Sequence, residues 1–163
     1  MSDRVLIAGV GNIFFGDDGF GCEVARRLAG EALPCDVRVE DYGIRGTHLA
    51  YELLSGYERA ILIDAVPRGG APGTLYIIEP DMSVAAGAPD AHSMDLSNVF
   101  AMLRTLGGDV PAVRIVGCEP AVVDETIGLS EAVERAVHAA LPLVRSLLAE
   151  GTPEASHPSV TVA

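Results

Sequence analysis

Two short apolar runs constrain this chain more than any other feature. Residues 4–10 (RVLIAGV) and 60–66 (AILIDAV) carry apolar side chains at consecutive rather than alternate positions. Segments of this length, closed by a glycine in one case and an acid in the other, fit strands better than helices. A strand that is apolar on both faces belongs inside a parallel sheet with helices packed above and below it. The composition suits such a core: aromatics are only 5% and Trp is absent, so Ala, Val, Leu and Ile must fill it.

The rest of the chain supplies the covering layers. A helical pattern over residues 19–32 repeats Phe20, Val24 and Leu28 at i, i+4, i+8. Residues 37–41 form a second strand, and a glycine-rich turn at 42–46 leads to a helix over 47–55 that Gly56 stops. Strands at 74–79 and 113–118 bring the total to five, with a loop over 82–91 and a helix from Ser93 or Asp95 to Leu106 between them. Ser130 has the character of an N-cap for a terminal helix reaching Glu150. The expected fold is α/β, a three-layer α/β/α sandwich on a mostly parallel, twisted sheet of about five strands. Residues 1–150 make one domain, and 151–163, rich in Pro, Ser and Thr, form a flexible tail.

Whole-chain properties exclude several functions. The 163 residues carry a net charge of −12 with no basic patch, which argues against nucleic acid. No run approaches the ~20 apolar residues of a membrane span, and the start has no signal-peptide pattern, so a cytoplasmic protein is expected. Cys22, Cys35 and Cys118 are odd in number and share no CxxC spacing, which fits buried small hydrophobes better than a disulfide or thiolate-metal site.

In parallel sheets ligands collect outside the carboxyl ends of the strands, and the polar residues of interest fall there. The loop over residues 9–21, GVGNIFFGDDGFG, joins the first strand to the first helix. It fails as a dinucleotide fingerprint because Phe14 stands where GxGxxG needs glycine. Asp17 and Asp18 at the helix entrance would also repel a pyrophosphate; taken alone, they fit helix-capping acids. Asp64 ends the most apolar strand, where a carboxylate is costly unless paired, hydrogen-bonded or metal-bound. His92 precedes a helix at the end of a loop, whereas His48, His138 and His157 suit helix surfaces or the tail. Two carboxylates and an imidazole suit Zn, Ni, Mn or Fe, and spacing does not choose among them. There is no GxSxG elbow, no HExxH helix and no plausible Cys/His pair.

These motifs in order resemble the NiFe-hydrogenase maturation endopeptidases. The resemblance rests on GVGNIFFGDDGFG at 9–21, DYGIRG at 41–46, IDA at 63–65, HSMDL at 92–96, GCEP at 117–120 and GLS at 128–130, and covers residues 4–149. Tyr42 departs from a glycine often seen in the second loop, and Phe14 and Phe15 replace smaller aliphatics. The resemblance implies a protease that removes the C-terminal extension of a hydrogenase large-subunit precursor after nickel insertion. It assigns Asp18, Asp64 and His92 as metal-binding and catalytic residues that recognise nickel, which the precursor itself supplies. No organic cofactor is implied, and a monomer is expected. The competing expectations are a non-catalytic nickel-checking chaperone of the precursor and a generic metal-dependent hydrolase of small substrates.

Overall fold

The computed structural model describes residues 3–80, 96–151 and 159–163. The first strand, β1 (Val5–Val10), is buried at every position. A short 3-10 turn (Gly16–Gly19) leads into α1 (Phe20–Ala29), followed by β2 (Val37–Gly43), α2 (Gly46–Leu53) and β3 (Arg59–Ala65). Then come β4 (Leu75–Glu79), α3 (Leu96–Leu106), β5 (Ala112–Cys118), α4 (Glu131–Glu150) and β6 (Ser159–Val162). The six strands form one sheet in the order β2-β1-β3-β5-β4-β6. Strands β2, β1, β3 and β5 run parallel, while β4 is antiparallel to both β5 and β6.

Alternation along the strands divides the core in two. Leu6, Ala8 and Val10 of β1 and Leu62 of β3 face one layer, closed by Leu49 and Leu53 of α2 and by Val99 and Leu103 of α3. Ile7, Ile61 and Ile63 face the other, closed by Phe20, Val24 and Leu28 of α1 and Val137 and Val144 of α4. Each of the buried Leu, Ile, Val and Phe side chains among these contributes about 1.5–3 kcal/mol relative to exposure. The consecutive apolar positions of β1 and β3 thus have their physical reason in two packed faces.

Chain order then locates the site. From β1 the chain steps to β2 on one side and returns to β3 on the other, so β1 and β3 flank a topological switch point, outside whose carboxyl ends a crevice opens. Helix α1 starts directly against these strand ends. A Cβ on Gly21 would collide with the carbonyl oxygens of Ile63 and Val10, so glycine is what lets the helix approach this closely.

Three expectations are corrected. Strand β2 runs on to Gly43, because Val10 pairs with Gly43 across a register shift at Gly9/Val10. Cys22 and Cys118 are buried, but Cys35 is exposed, since it lies in the turn between α1 and β2. Within the segment expected as a flexible tail, Ser159–Val162 instead pairs with β4, with Tyr76 opposite Val162 and Glu79 opposite Ser159. The β-branched residues of SVTV favour a strand, and the unpaired edge of β4 gives it a partner. The expected start of α3 at Ser93 or Asp95 lies outside the described residues.

Candidate active site

The Gly16–Gly19 turn gives its two acids different surroundings. Asp17 is wholly buried. Its Oδ1 accepts the Ser130 N–H at 2.7 Å, and its Oδ2 accepts the N–H groups of Ala121 (2.8 Å) and Val122 (2.9 Å) and the Ser130 hydroxyl (2.8 Å). Burial alone would raise its pKa, but these hydrogen bonds together hold it below the usual carboxylate range. Ser130 in turn is the N-cap of α4, its hydroxyl accepting the Val133 N–H at 3.4 Å. Asp17 therefore fastens the turn to the loop after β5 and to the start of α4.

Asp18 is only partly buried, and its Oδ2 accepts the Asn12 N–H at 2.8 Å. Burial pushes its pKa up, and the Asn12 hydrogen bond offsets that only in part. Its negative charge is under-compensated by the protein, a condition that a proton or a cation relieves.

Asp64 lies at the end of β3, opposite Gly117 of β5, and is 7% exposed. One turn into α1, the buried Cys22 thiol donates to the Gly11 carbonyl at 3.5 Å. Its pKa is driven far above the ordinary thiol value by burial, by a hydrogen bond with Asp41, and by the charges of Asp41, Asp18 and Asp64. Three carboxylates, Asp18 just after β1 and Asp41 and Asp64 near the carboxyl ends of β2 and β3, thus disfavour ionisation of a single thiol at the switch point. Asp18 and Asp64 both lie at the carboxyl edge of the sheet, after β1 and near the end of β3, while His92 lies outside the described residues. Among the described residues no set of three His, Cys, Asp or Glu side chains stands close enough to hold a metal ion. The protonated thiol is a poor nucleophile.

Two contributors escape sequence reasoning. Asp41 lies near the end of β2 in register with Gly9, and its Oδ1 accepts the Gly43 N–H at 2.9 Å; an acid near the end of a strand beside β1 was the available signal. Glu119, just past β5, is buried. Its carboxylate accepts the N–H groups of Arg68 (2.9 Å) and Gly70 (2.6 Å) and the Tyr76 hydroxyl (2.9 Å). Burial opposes its ionisation, but these donors prevail and its pKa falls. Glu119 clamps the loop that follows Asp64. A cavity of about 410 Å³ beside the crevice is lined by Ile13, Gly19, Cys22, Asp41, Ile127 and Leu129, among others.

An α/β/α sheet with strand-end carboxylates at its switch point defines a class of small-domain proteins whose chemistry sits on that edge. Comparison with known proteins narrows the class. The family model for hydrogenase maturation proteases matches residues 22–146. The hydrogenase 2 maturation protease of Escherichia coli K12 is 31% identical over 156 residues, covering 93% of this chain and 94% of the relative. The structure of the hydrogenase maturating endopeptidase HybD from E. coli superposes with a TM-score of 0.77 at 28% identity, covering 98% of this chain and 97% of that one. A hydrogenase 2 maturation peptidase from a Thaumarchaeota archaeon gives 0.69 at 37% identity, covering 90% and 99%. The chain belongs to the hydrogenase maturation protease family and is a peptidase of that kind. No helix among the described residues is long and apolar enough to cross a membrane.

Proposed function

We infer that this protease removes the C-terminal extension of a NiFe-hydrogenase large-subunit precursor once nickel has been inserted, and that it recognises the nickel through Asp18, Asp64 and His92. One observation carries the reading: Asp18, at the entrance to α1 just after β1, and Asp64, next to last in β3, sit at the carboxyl edge of two adjacent parallel strands, where such sheets bind their ligands. Two carboxylate oxygens joined by a histidine nitrogen suit a borderline divalent cation. Nickel belongs to the substrate and supplies Lewis acidity at the scissile carbonyl or an adjacent water. The task of this chain is to hold that segment beside the metal and to reject a precursor that lacks it. The reading makes the enzyme metal-dependent through its substrate, cytoplasmic and monomeric, with no organic cofactor.

The experiment mixes the protein with its precursor, with and without nickel, and weighs the products as intact masses. Loss of a C-terminal peptide only from the loaded form is expected. Asp64→Asn should abolish that loss while leaving the thermal midpoint near wild type; a fully active, nickel-dependent Asp64→Asn enzyme would refute the role of Asp64. Stable binding of loaded precursor with no mass change would make the protein a checking chaperone.

A further inference from the structure

Half of the twelve exposed large apolar side chains among the described residues belong to two short loops: Ile13, Phe14 and Phe15 after β1, and Val122, Val123 and Ile127 after β5. Phe14 is 60% exposed and Ile127 75%. Scattered apolar residues on a surface need no explanation, but a contiguous group does.

The two loops are one rigid unit. Phe15 and Thr126 form a parallel bridge, the Gly16 N–H donates to the Thr126 carbonyl at 2.7 Å, and the Asp17 N–H donates to the Val122 carbonyl at 2.8 Å. Gly16 has φ +56°, and a Cβ there would stand 2.6 Å from the Val122 carbonyl oxygen, so the backbones meet where only glycine fits. The buried Asp17 carboxylate fastens both loops from below. The apolar side chains of these two loops stand exposed as a ridge, and Phe14, Phe15 and Ile127 line an open groove together with Glu125 and Thr126.

We propose that this ridge is the docking surface for the precursor, and that its occupant is an apolar segment of that protein flanked by basic residues. This rests on the functional reading above. Charge argues for the occupant: Asp124 and Glu125 are exposed on the rim, and the chain as a whole carries −12. Position argues for the same partner. Asp18 lies three residues beyond Phe15 and is tied back to Asn12, so a protein seated on the ridge continues over the crevice. A basic flank makes encounter faster and salt-sensitive, while the apolar contacts hold the complex.

The test uses the full chain and nickel-loaded precursor, with initial rates across precursor concentrations. Phe14→Ser/Ile127→Ser should raise KM by about tenfold or more, as expected for anchors at a protein interface. Its kcat at saturation and its thermal midpoint should match wild type. Should that variant fail to fold, Val123→Ser tests the same ridge. Asp124→Lys/Glu125→Lys should also raise KM, and added salt should raise the wild-type KM. Unchanged KM in the apolar variants, with wild type cutting normally, overturns the docking surface and leaves the functional reading intact. A wild-type protein that neither binds nor cuts the precursor brings down both. Sedimentation that shows a wild-type dimer abolished by Phe14→Ser/Ile127→Ser assigns the ridge to a second copy and overturns the proposal.

Discussion

Neighbouring residues on a 3-10 turn project about 120° apart, so the chain cannot bury the carboxylates of Asp17 and Asp18 against one wall. Asp17 points into the protein, where four donors satisfy it, and Asp18 is left half-buried at the crevice. The difference predicts separable phenotypes. Asp17→Ala takes the acceptor from three half-buried backbone N–H groups and empties a buried site, and should cost about 1–3 kcal/mol, read as a fall in the urea midpoint. Asp17→Asn, which keeps one acceptor oxygen, should fall in between. Asp18→Asn should leave the midpoint nearly unchanged and lose cleavage. If Asp17→Ala melts like wild type, the fastening assigned to it is wrong. The sequence shows two acids at a helix entrance and suggests caps; it cannot show that the partners of Asp17 lie 104 to 113 residues further along.

At the scale of elements, the loop after β3 is held by the residue that follows β5. Glu119 takes three donors from residues 68–76, its own N–H donates to the Thr74 carbonyl, and its carbonyl accepts the Gly73 N–H at 2.8 Å. A carboxylate whose folded pKa lies below its ordinary 4.5 contributes stability that is fully present above that value. The contribution is lost as pH falls below 4.5 toward the folded pKa. Thermal midpoints followed from pH 7 to pH 3 should therefore drop more steeply for wild type than for Glu119→Gln, with the two curves converging at the acid end. Parallel curves would remove Glu119 from the account. Strands β1 and β3 are legible in the sequence because burial on both faces forces unbroken apolar runs. Asp64 is legible because an acid directly after Ile61-Leu62-Ile63 needs a reason. Glu119 is not legible: it also ends a strand, but its clamp is formed with a loop some fifty residues earlier, a pairing that only the sheet order creates.

At the scale of the whole molecule, the sheet is finished by its last few residues. Strand β6 covers the outer edge of β4 through four register pairs, and the Ala163 N–H donates to the Leu75 carbonyl at 2.9 Å. Val160 is 43% exposed and Val162 65%, so β6 buries little apolar surface, and its main effect is to pair the backbone of β4. That distinction sets the expected cost of removing it. A chain ending at Gly151 should lose about 1 kcal/mol, a fall of ~3 °C in thermal midpoint for a domain of this size. The larger consequence should be aggregation, because the freed edge of β4 presents unpaired N–H and C=O groups over Leu75–Glu79. Light scattering during a thermal ramp should rise earlier in the truncated chain than its small loss of stability explains. Cleavage of nickel-loaded precursor should persist, since the crevice between β1 and β3 is separated from β4 by β5. A truncated chain that stays folded and monomeric yet no longer cuts would mean that the C-terminal residues reach the site, and the role of β6 as an edge cover would have to be abandoned.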